Sequence, residues 1–183
     1  MLFDFADITP RNRYKLLVST ITPRPIAWVT SQDAQGILNA APFSFFNAFA
    51  GDPPIIGIGI GHRPTGSATG PGSTWSPAQM KDTRANIAAT GQFVVNLVSE
   101  ETAQAMNVTA IDFAPHVNEL HEAGLTPRAS VHVKPPRIAE SPVSMECVLH
   151  QIVDLGPASS LVLGRILAMH VRDDAVLDAA SAY

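Results

Sequence analysis

The sequence predicts a mainly β protein: an antiparallel barrel with a few short peripheral α-helices, in a single domain spanning residues 1–183. Three observations carry this. Strand patterns between Ile26 and Ile60 follow one another with no room for the dozen or more residues of a parallel crossover. Prolines stand at strand entries, where a missing N–H is tolerated. The helical patterns are short, and neither a linker nor an internal repeat divides the chain.

The elements follow in order. Thr9-Pro10 opens a helix, with Thr as N-cap and Pro at the first helical position. Tyr14, Leu17 and Val18 continue it, and it should end near Thr20, because Thr22 precedes a proline and is pushed to extended geometry. Residues 26–30 read as a strand, 31–36 as a turn, and 37–40 and 43–49 as two further strands, with Asn39, Ala40 and Ala41 in a small-residue loop. Pro53-Pro54 introduces a strand over residues 55–61. Gly57, Gly59 and Gly61 share one of its faces and Ile56, Ile58 and Ile60 the other. Glycines inside a strand mark close approach of a ligand or of another backbone. Here tight packing against a helix or sheet is the leading reading.

Residues 62–80 form a Gly/Pro/Ser/Thr-rich loop, long for a compact domain, with Trp75 as its one large anchor. Asp82 is expected to cap a helix that runs to Thr90 and stops at Gly91. Residues 92–98 read as a strand. Ser99 starts another helix with acidic first-turn residues, and residues 116–123 form a short one closed by Gly124. Residues 143–153 and 161–171 are two long antiparallel strands joined by Gly156-Pro157.

Composition excludes several function classes. Apolar residues make up 46% and charged ones 15%, and the net charge is -4 with no basic run, which argues against a nucleic-acid face. No apolar run reaches the ~18 residues of a membrane span. Met1-Leu-Phe-Asp-Phe5 lacks the basic start of a signal peptide. The one cysteine, Cys147, excludes an internal disulfide framework and reads as a small core residue. A cytoplasmic location is the resulting expectation. No metal is expected: His116-x-x-Glu119-x-His121 places its histidines five apart, off a common helical face. Gly61-x-x-x-x-Gly66-Ser67 lacks the lysine of a phosphate loop. His132, His150 and His170 stand isolated on strand patterns.

Three blocks remain. Asn39-Ala-Ala offers small residues beside backbone N–H groups, where a flat anionic ligand can approach, and Ser44 adds a hydroxyl. Lys81-Asp-Thr83 opens a helix, an arrangement that suits a phosphate. Arg24 lies between two prolines, so its backbone is stiff and its cation well aimed. Trp28 reads as core; His62-Arg63, after the glycine strand, could meet a phosphate, but as loop residues they read first as exposed and idle.

Thr22-Pro-Arg-Pro-Ile-Ala-Trp-Val-Thr30, Asn39-Ala-Ala-Pro-Phe-Ser-Phe-Phe46 and Lys81-Asp-Thr83, in that order, resemble the flavin reductase-like family. These are FMN-binding split β-barrels that include flavoredoxin-type proteins and the flavin-supplying partners of two-component monooxygenases. The resemblance runs from about Tyr14 to Asp173. It implies a Greek-key split β-barrel, a homodimer with FMN at the subunit interface, NADH or NADPH as co-substrate, and a monooxygenase as a further partner. The cofactor-binding residues it implies are Thr22, Arg24, Pro25, Asn39, Ala40, Ala41, Ser44, Lys81, Asp82 and Thr83. No catalytic side chain is implied, because hydride passes between the two cofactors. The runner-up reading is an FMN-holding electron-transfer protein. A pyridoxamine-phosphate-oxidase-like enzyme comes third, since no segment resembles its substrate-binding residues. Ser159 and Ser160 stand where many relatives carry a histidine that helps receive NAD(P)H, a departure that bears on nicotinamide use more than on flavin binding.

Overall fold

The computed structural model describes residues 1–63, 80–114 and 117–176. The sequence readings for the body of the 62–80 loop, Trp75 included, and for His116 lie outside the described residues.

The chain runs α1 (Pro10–Thr20), β1 (Ala27–Gln32), β2 (Leu38–Phe43), β3 (Phe46–Gly51), β4 (Pro54–Gly61), α2 (Asp82–Thr90), β5 (Gln92–Asn96), α3 (Ala103–Val108) and α4 (Glu119–Glu122). The short β6 (Pro127–Arg128) and β7 (Arg137–Ile138) follow, then the long β8 (Val143–Asp154) and β9 (Ser159–Val171). Seven strands form one antiparallel sheet in the order β2-β1-β5-β8-β9-β4-β3. β2 and β3 are therefore its two edges, yet only Ser44 and Phe45 separate them in sequence. The three steps from Phe43 to Phe46 span at most about 11 Å. The sheet must curl until its edges nearly meet. The Gly59 N–H donates to Phe45 O (2.7 Å) beside this link.

The barrel corner corrects two expectations. Residues 43–49 are not one strand, because Ser44 and Phe45 form the bend between β2 and β3. Asn39, Ala40 and Ala41 are not a loop but the middle of β2, paired with Ser31, Thr30 and Val29.

Alternation fills the barrel. Val29, Ile56, Ile58, Ile60, Phe93, Val95, Cys147 and Val162 are buried in one cluster, and Ile87 of α2 closes it from one end. Asn86 of the same helix donates to Ser31 Oγ (3.2 Å). β1 is buried on both faces. Its other face carries Trp28 into a second cluster with Ala40, Leu120, Leu125 and Ile138. Trp28 is core as expected, and its indole N–H donates to Thr109 Oγ1 (2.9 Å).

The glycine face of β4 receives aromatic side chains. A Cβ on Gly57 would lie 2.4 Å from Phe49 Cε2, and one on Gly59 would lie 2.9 Å from Phe45 Cβ. The close approach comes from β3 and its corner, rather than from a helix or a second sheet. Gly164 on β9 is tighter in kind: a Cβ there would lie 2.3 Å from Cζ of the buried Phe93.

Two helix starts differ from expectation. α2 begins at Asp82 with Lys81 as its cap residue, because Asp82 turns toward Arg63 instead of the first-turn amides. α3 begins at Ala103, since Thr102 Oγ1 accepts the Ser99 N–H (3.0 Å) and ties residues 99–102 into a turn. Gly91 and Gly124 close their helices at φ 69° and 66°, as predicted. Among the described residues no helix is long and apolar enough to cross a membrane.

Outside the barrel wall, the 127–138 segment is held by buried polar side chains. Asn96 Oδ1 accepts the Ile138 N–H (3.0 Å) and Ser144 Oγ–H (2.8 Å). The fully buried Glu146 accepts the Val131 and His132 amides (2.8 and 2.6 Å) and meets His170 Nε2 at 2.6 Å. His170 is thus a partner of the buried Glu146. Burial pushes the Glu146 carboxyl up, but its three donors outweigh that and hold it below the ordinary 4.5.

Two outcomes follow from this packing. A carboxylate depressed in the folded state contributes stability above its unfolded pKa near 4.5 and loses it as pH falls through the lower folded value. Denaturant curves for the wild type and Glu146→Gln should therefore differ most near neutrality and converge on acidification; a pH-independent gap would contradict the depressed carboxylate. Gly164→Ala should cost about 1–3 kcal/mol through overpacking against Phe93. Gly51→Ala, with nothing within 4 Å of its added Cβ, should stay within about 0.5 kcal/mol of wild type in the same melts.

Candidate functional site

A cleft of about 370 Å³ opens where the outer edge of β2 meets the start of α2. Asn39, Ala41, Lys81, Asp82 and Thr83 line it, so one site gathers half of the predicted residues. Arg63, Asp112 and Glu119 complete its charged wall. A second hollow, about 430 Å³, shares Pro42 and Lys81 with the cleft and contains Ser44 and Phe45. A third, about 280 Å³, shares Ser44 and Phe45 with the second and contains Arg24 and Pro25. The predicted residues thus spread along one groove, with Asn39 and Thr83 at one end and Arg24 at the other.

Two of them face elsewhere. Ala40 is fully buried, and its N–H donates to Glu119 Oε2 (3.1 Å), so that amide is spent. Thr22 precedes a cis proline and lines none of these hollows. Arg24 is not an unengaged cation: its guanidinium donates to Val18 O (2.7 Å) and to Ile21 O, holding the end of α1.

The electrostatics of the cleft turn on Arg63. It meets Asp82 at 2.7 Å and Asp112 at 3.4 Å. This overturns the reading of Arg63 as an idle loop residue. It also draws the Asp82 carboxylate off the helix start, where it would repel an anion. Lys81 forms no ion pair among the described residues and lies 5.9 Å from the centroid of the Phe43 ring. The cap residue Lys81 makes no side-chain capping hydrogen bond. A positive helix end, a lysine and a hydroxyl are an arrangement that suits an anion.

Behind the seat lies a buried polar chain. Thr83 is 1% exposed, Glu119 7% and Asn39 8%. With the Asn39 amide nitrogen toward Glu119 Oε1 (3.2 Å), its oxygen accepts from Thr83 Oγ1 (2.8 Å) and from the Ala40 N–H (3.2 Å). Turned over, the nitrogen donates to Thr83 Oγ1 at 2.8 Å. Burial pushes the Glu119 carboxyl up, its own amide and that of Ala40 pull it down, and the charge of Asp82 adds to the rise; the result is raised above 4.5.

Sequence reasoning set Arg63 aside as a loop residue and missed Asp112 and Glu119. Glu119 sat inside the rejected His-x-x-Glu-x-His pattern, so its signal was read only for metal. Among the described residues no His/Cys/Asp/Glu group is arranged to hold a metal ion. Burial holds the Cys147 thiol far above its usual range, in line with a core role. Ser160 is fully buried and donates to Asp154 Oδ1 (3.0 Å), with His62 Nε2 3.2 Å from the same hydroxyl.

A mainly β split barrel with an anion seat at a helix start agrees with the motif order in the chain. The protein belongs to the flavin reductase-like domain family, which matches residues 19–183. Nitrilotriacetate monooxygenase component B from Bacillus cereus is 35% identical with a TM-score of 0.85, covering 95% of this chain and 82% of that one. The 2-nitrobenzoate 2-nitroreductase of Pseudomonas fluorescens is 34% identical with a TM-score of 0.81, covering 95% and 78%. A split-barrel protein from Shewanella frigidimarina, 22% identical with a TM-score of 0.77 over 97% and 86% of the two chains, shares the fold. The family defines a flavin-related oxidoreductase.

Proposed function

We propose that the protein is an NAD(P)H-dependent flavin oxidoreductase that binds FMN. The observation that carries this reading is the start of α2 in the cleft, with Lys81 and the Thr83 hydroxyl beside it and Asp82 neutralised by Arg63. Those donors suit a phosphate dianion. From there the groove continues past Pro42 to Ser44 and Phe45, where an apolar wall carrying the Tyr14, Ser44 and Ser159 side chains suits an aromatic ring system and its polyol. When bound, flavin supplies the redox chemistry as a hydride acceptor from nicotinamide. The chain's own residues hold the phosphate, orient the ring along the groove and leave one face open to the second cofactor.

The active unit is proposed to be a homodimer. Phe45, Phe49 and Leu155 are 44%, 61% and 56% exposed around one shallow depression on the outer face of β3 and β4. α1 buries none of its residues, with Tyr14 57% exposed. An apolar face of this kind marks an association surface, and it borders the groove at Phe45. The monooxygenase component among the similar structures supports an oxygenase as the acceptor of reduced flavin.

A second reading, a flavin-holding electron-transfer protein, is favoured by Ser160. Its hydroxyl is buried and committed to Asp154, so it presents nothing to a nicotinamide. Mixing the protein with excess FMN and NADH or NADPH separates the two, since only a reductase consumes nicotinamide continuously.

FMN should bind more tightly than riboflavin. Charge-assisted hydrogen bonds of about 1.5–3 kcal/mol each predict a difference of tenfold or more. Lys81→Ala should weaken FMN and leave riboflavin nearly unchanged in fluorescence titrations, and equal affinities for both ligands would overturn the phosphate assignment. Light scattering should give twice the 19.5 kDa chain mass. A monomer that still holds FMN would contradict the dimer.

A further inference from the structure

The buried chain Glu119–Asn39–Thr83 admits two proton arrangements, and they leave Thr83 in opposite roles; the second sets the Asn39 NH₂ 3.2 Å from the Ala40 N–H, which is directed at Glu119. With Glu119 ionised, its oxygens accept the Ala40 N–H and the Asn39 NH₂, and the Asn39 oxygen takes the Thr83 Oγ1 proton. Thr83 then turns only lone pairs toward the cleft. With Glu119 protonated, its hydroxyl donates to the Asn39 oxygen. The amide turns over, its nitrogen donates to Thr83 Oγ1, and the Thr83 proton is released into the cleft. A hydroxyl has one proton, so it cannot serve Asn39 and a bound anion together. All three residues are at least nine-tenths buried, so water cannot substitute freely for the missing partner.

We propose that Glu119 is a positioning residue that acts through Asn39: its protonation turns the amide and makes Thr83 Oγ1 a donor to the phosphate bound beside Lys81. The proposal rests on the phosphate reading above. It makes anion binding at α2 and proton uptake by Glu119 mutually favourable. The charged groups around Glu119 act in the same sense. From α2 Asp82 faces it and from the segment after α3 Asp112 shares its cleft, and both oppose its ionisation. Arg63 after β4 is occupied by those two aspartates, and Lys81 faces the anion. On α4 itself, Glu122 and His121 pair with each other at the surface (3.3 Å). β2 contributes Asn39 and Ala40, neither of them charged. The raised carboxyl of Glu119 brings the switch toward neutrality.

The test is a set of FMN and riboflavin fluorescence titrations across the pH range in which Glu119 ionises, on wild type, Glu119→Gln and Thr83→Val. A glutamine reproduces the protonated arrangement: its oxygen accepts the Ala40 N–H and its nitrogen donates to Asn39. Wild-type affinity for FMN should fall about tenfold, relative to Glu119→Gln, from the acid to the alkaline end, the worth of one charge-assisted hydrogen bond. The phosphate's own ionisation is common to both proteins and cancels in that ratio. Thr83→Val should bind FMN at the weak level throughout, and riboflavin should show no such ratio change. If FMN exceeds riboflavin but the wild-type to Glu119→Gln ratio is flat, the relay is wrong and the phosphate site stands. The relay is equally overturned if Thr83→Val keeps the full wild-type pH dependence, a result that would also show the direct field of Glu119 at work should Glu119→Gln fail to fold. If FMN and riboflavin bind alike in wild type, the phosphate reading itself falls.

Discussion

The two-residue link between β2 and β3 governs the architecture. Every other neighbour in the large sheet is joined by a hydrogen-bonded ladder, but the two edges are joined by Ser44 and Phe45 alone. A sheet with covalently tethered edges must close on itself, and closure fixes which side chains point inward along all seven strands. The link also leaves the outer edge of β2 without a strand partner. An unpaired edge with open N–H groups invites unwanted pairing. Here Glu119 takes one of those groups at Ala40, and Pro42 lacks one altogether. The site thus lies at the edge that the tether leaves without a partner.

That location explains the density of charge in the cleft. Three carboxylates and two cations converge where β2, α2, α4 and the segment after α3 meet. Unpaired, they would be costly to hold so close together. Arg63 divides its guanidinium between Asp82 and Asp112, and the buried Glu119 leans on backbone and amide donors. Among the described residues Lys81 forms no ion pair, so the cation beside the start of α2 is the one not balanced by a neighbouring carboxylate.

The barrel was legible in the sequence wherever period and punctuation agreed. Ile56, Ile58 and Ile60 alternate with glycines and point inward as read, and Gly91 and Gly124 stop their helices where expected. The placement of Lys81 and Thr83 at the start of α2 was legible too, since a lysine and a threonine at a helix start are local features. What was not legible depended on contacts distant in sequence. Ser44 and Phe45 look like strand until closure bends them. Asp82 looks like an N-cap until Arg63, 19 residues earlier, draws it away. Glu119 gains its meaning only from Ala40, 79 residues before it. His170 looked solitary because Glu146 faces it from the neighbouring strand. Sequence periodicity reports which face a residue occupies, and it is silent on what waits there.

One consequence of the double burial of β1 concerns time. The strand is a party wall between the barrel interior and the Trp28 cluster, so water reaches its amides only after a layer on one side has come away. The outer layer, residues 118–138, is held by polar bonds to Thr30, Ala40, Gln92, Asn96 and Glu146 and by the apolar packing of Leu120, Leu125 and Ile138 on Trp28. Exchange at the β1 amides therefore reports on the opening of one of the two clusters that flank the strand. The edge of β2 that frames the cleft belongs to the barrel sheet, yet its Ala40 amide is tied to Glu119 of the outer layer, so the cleft is walled by both cores at once.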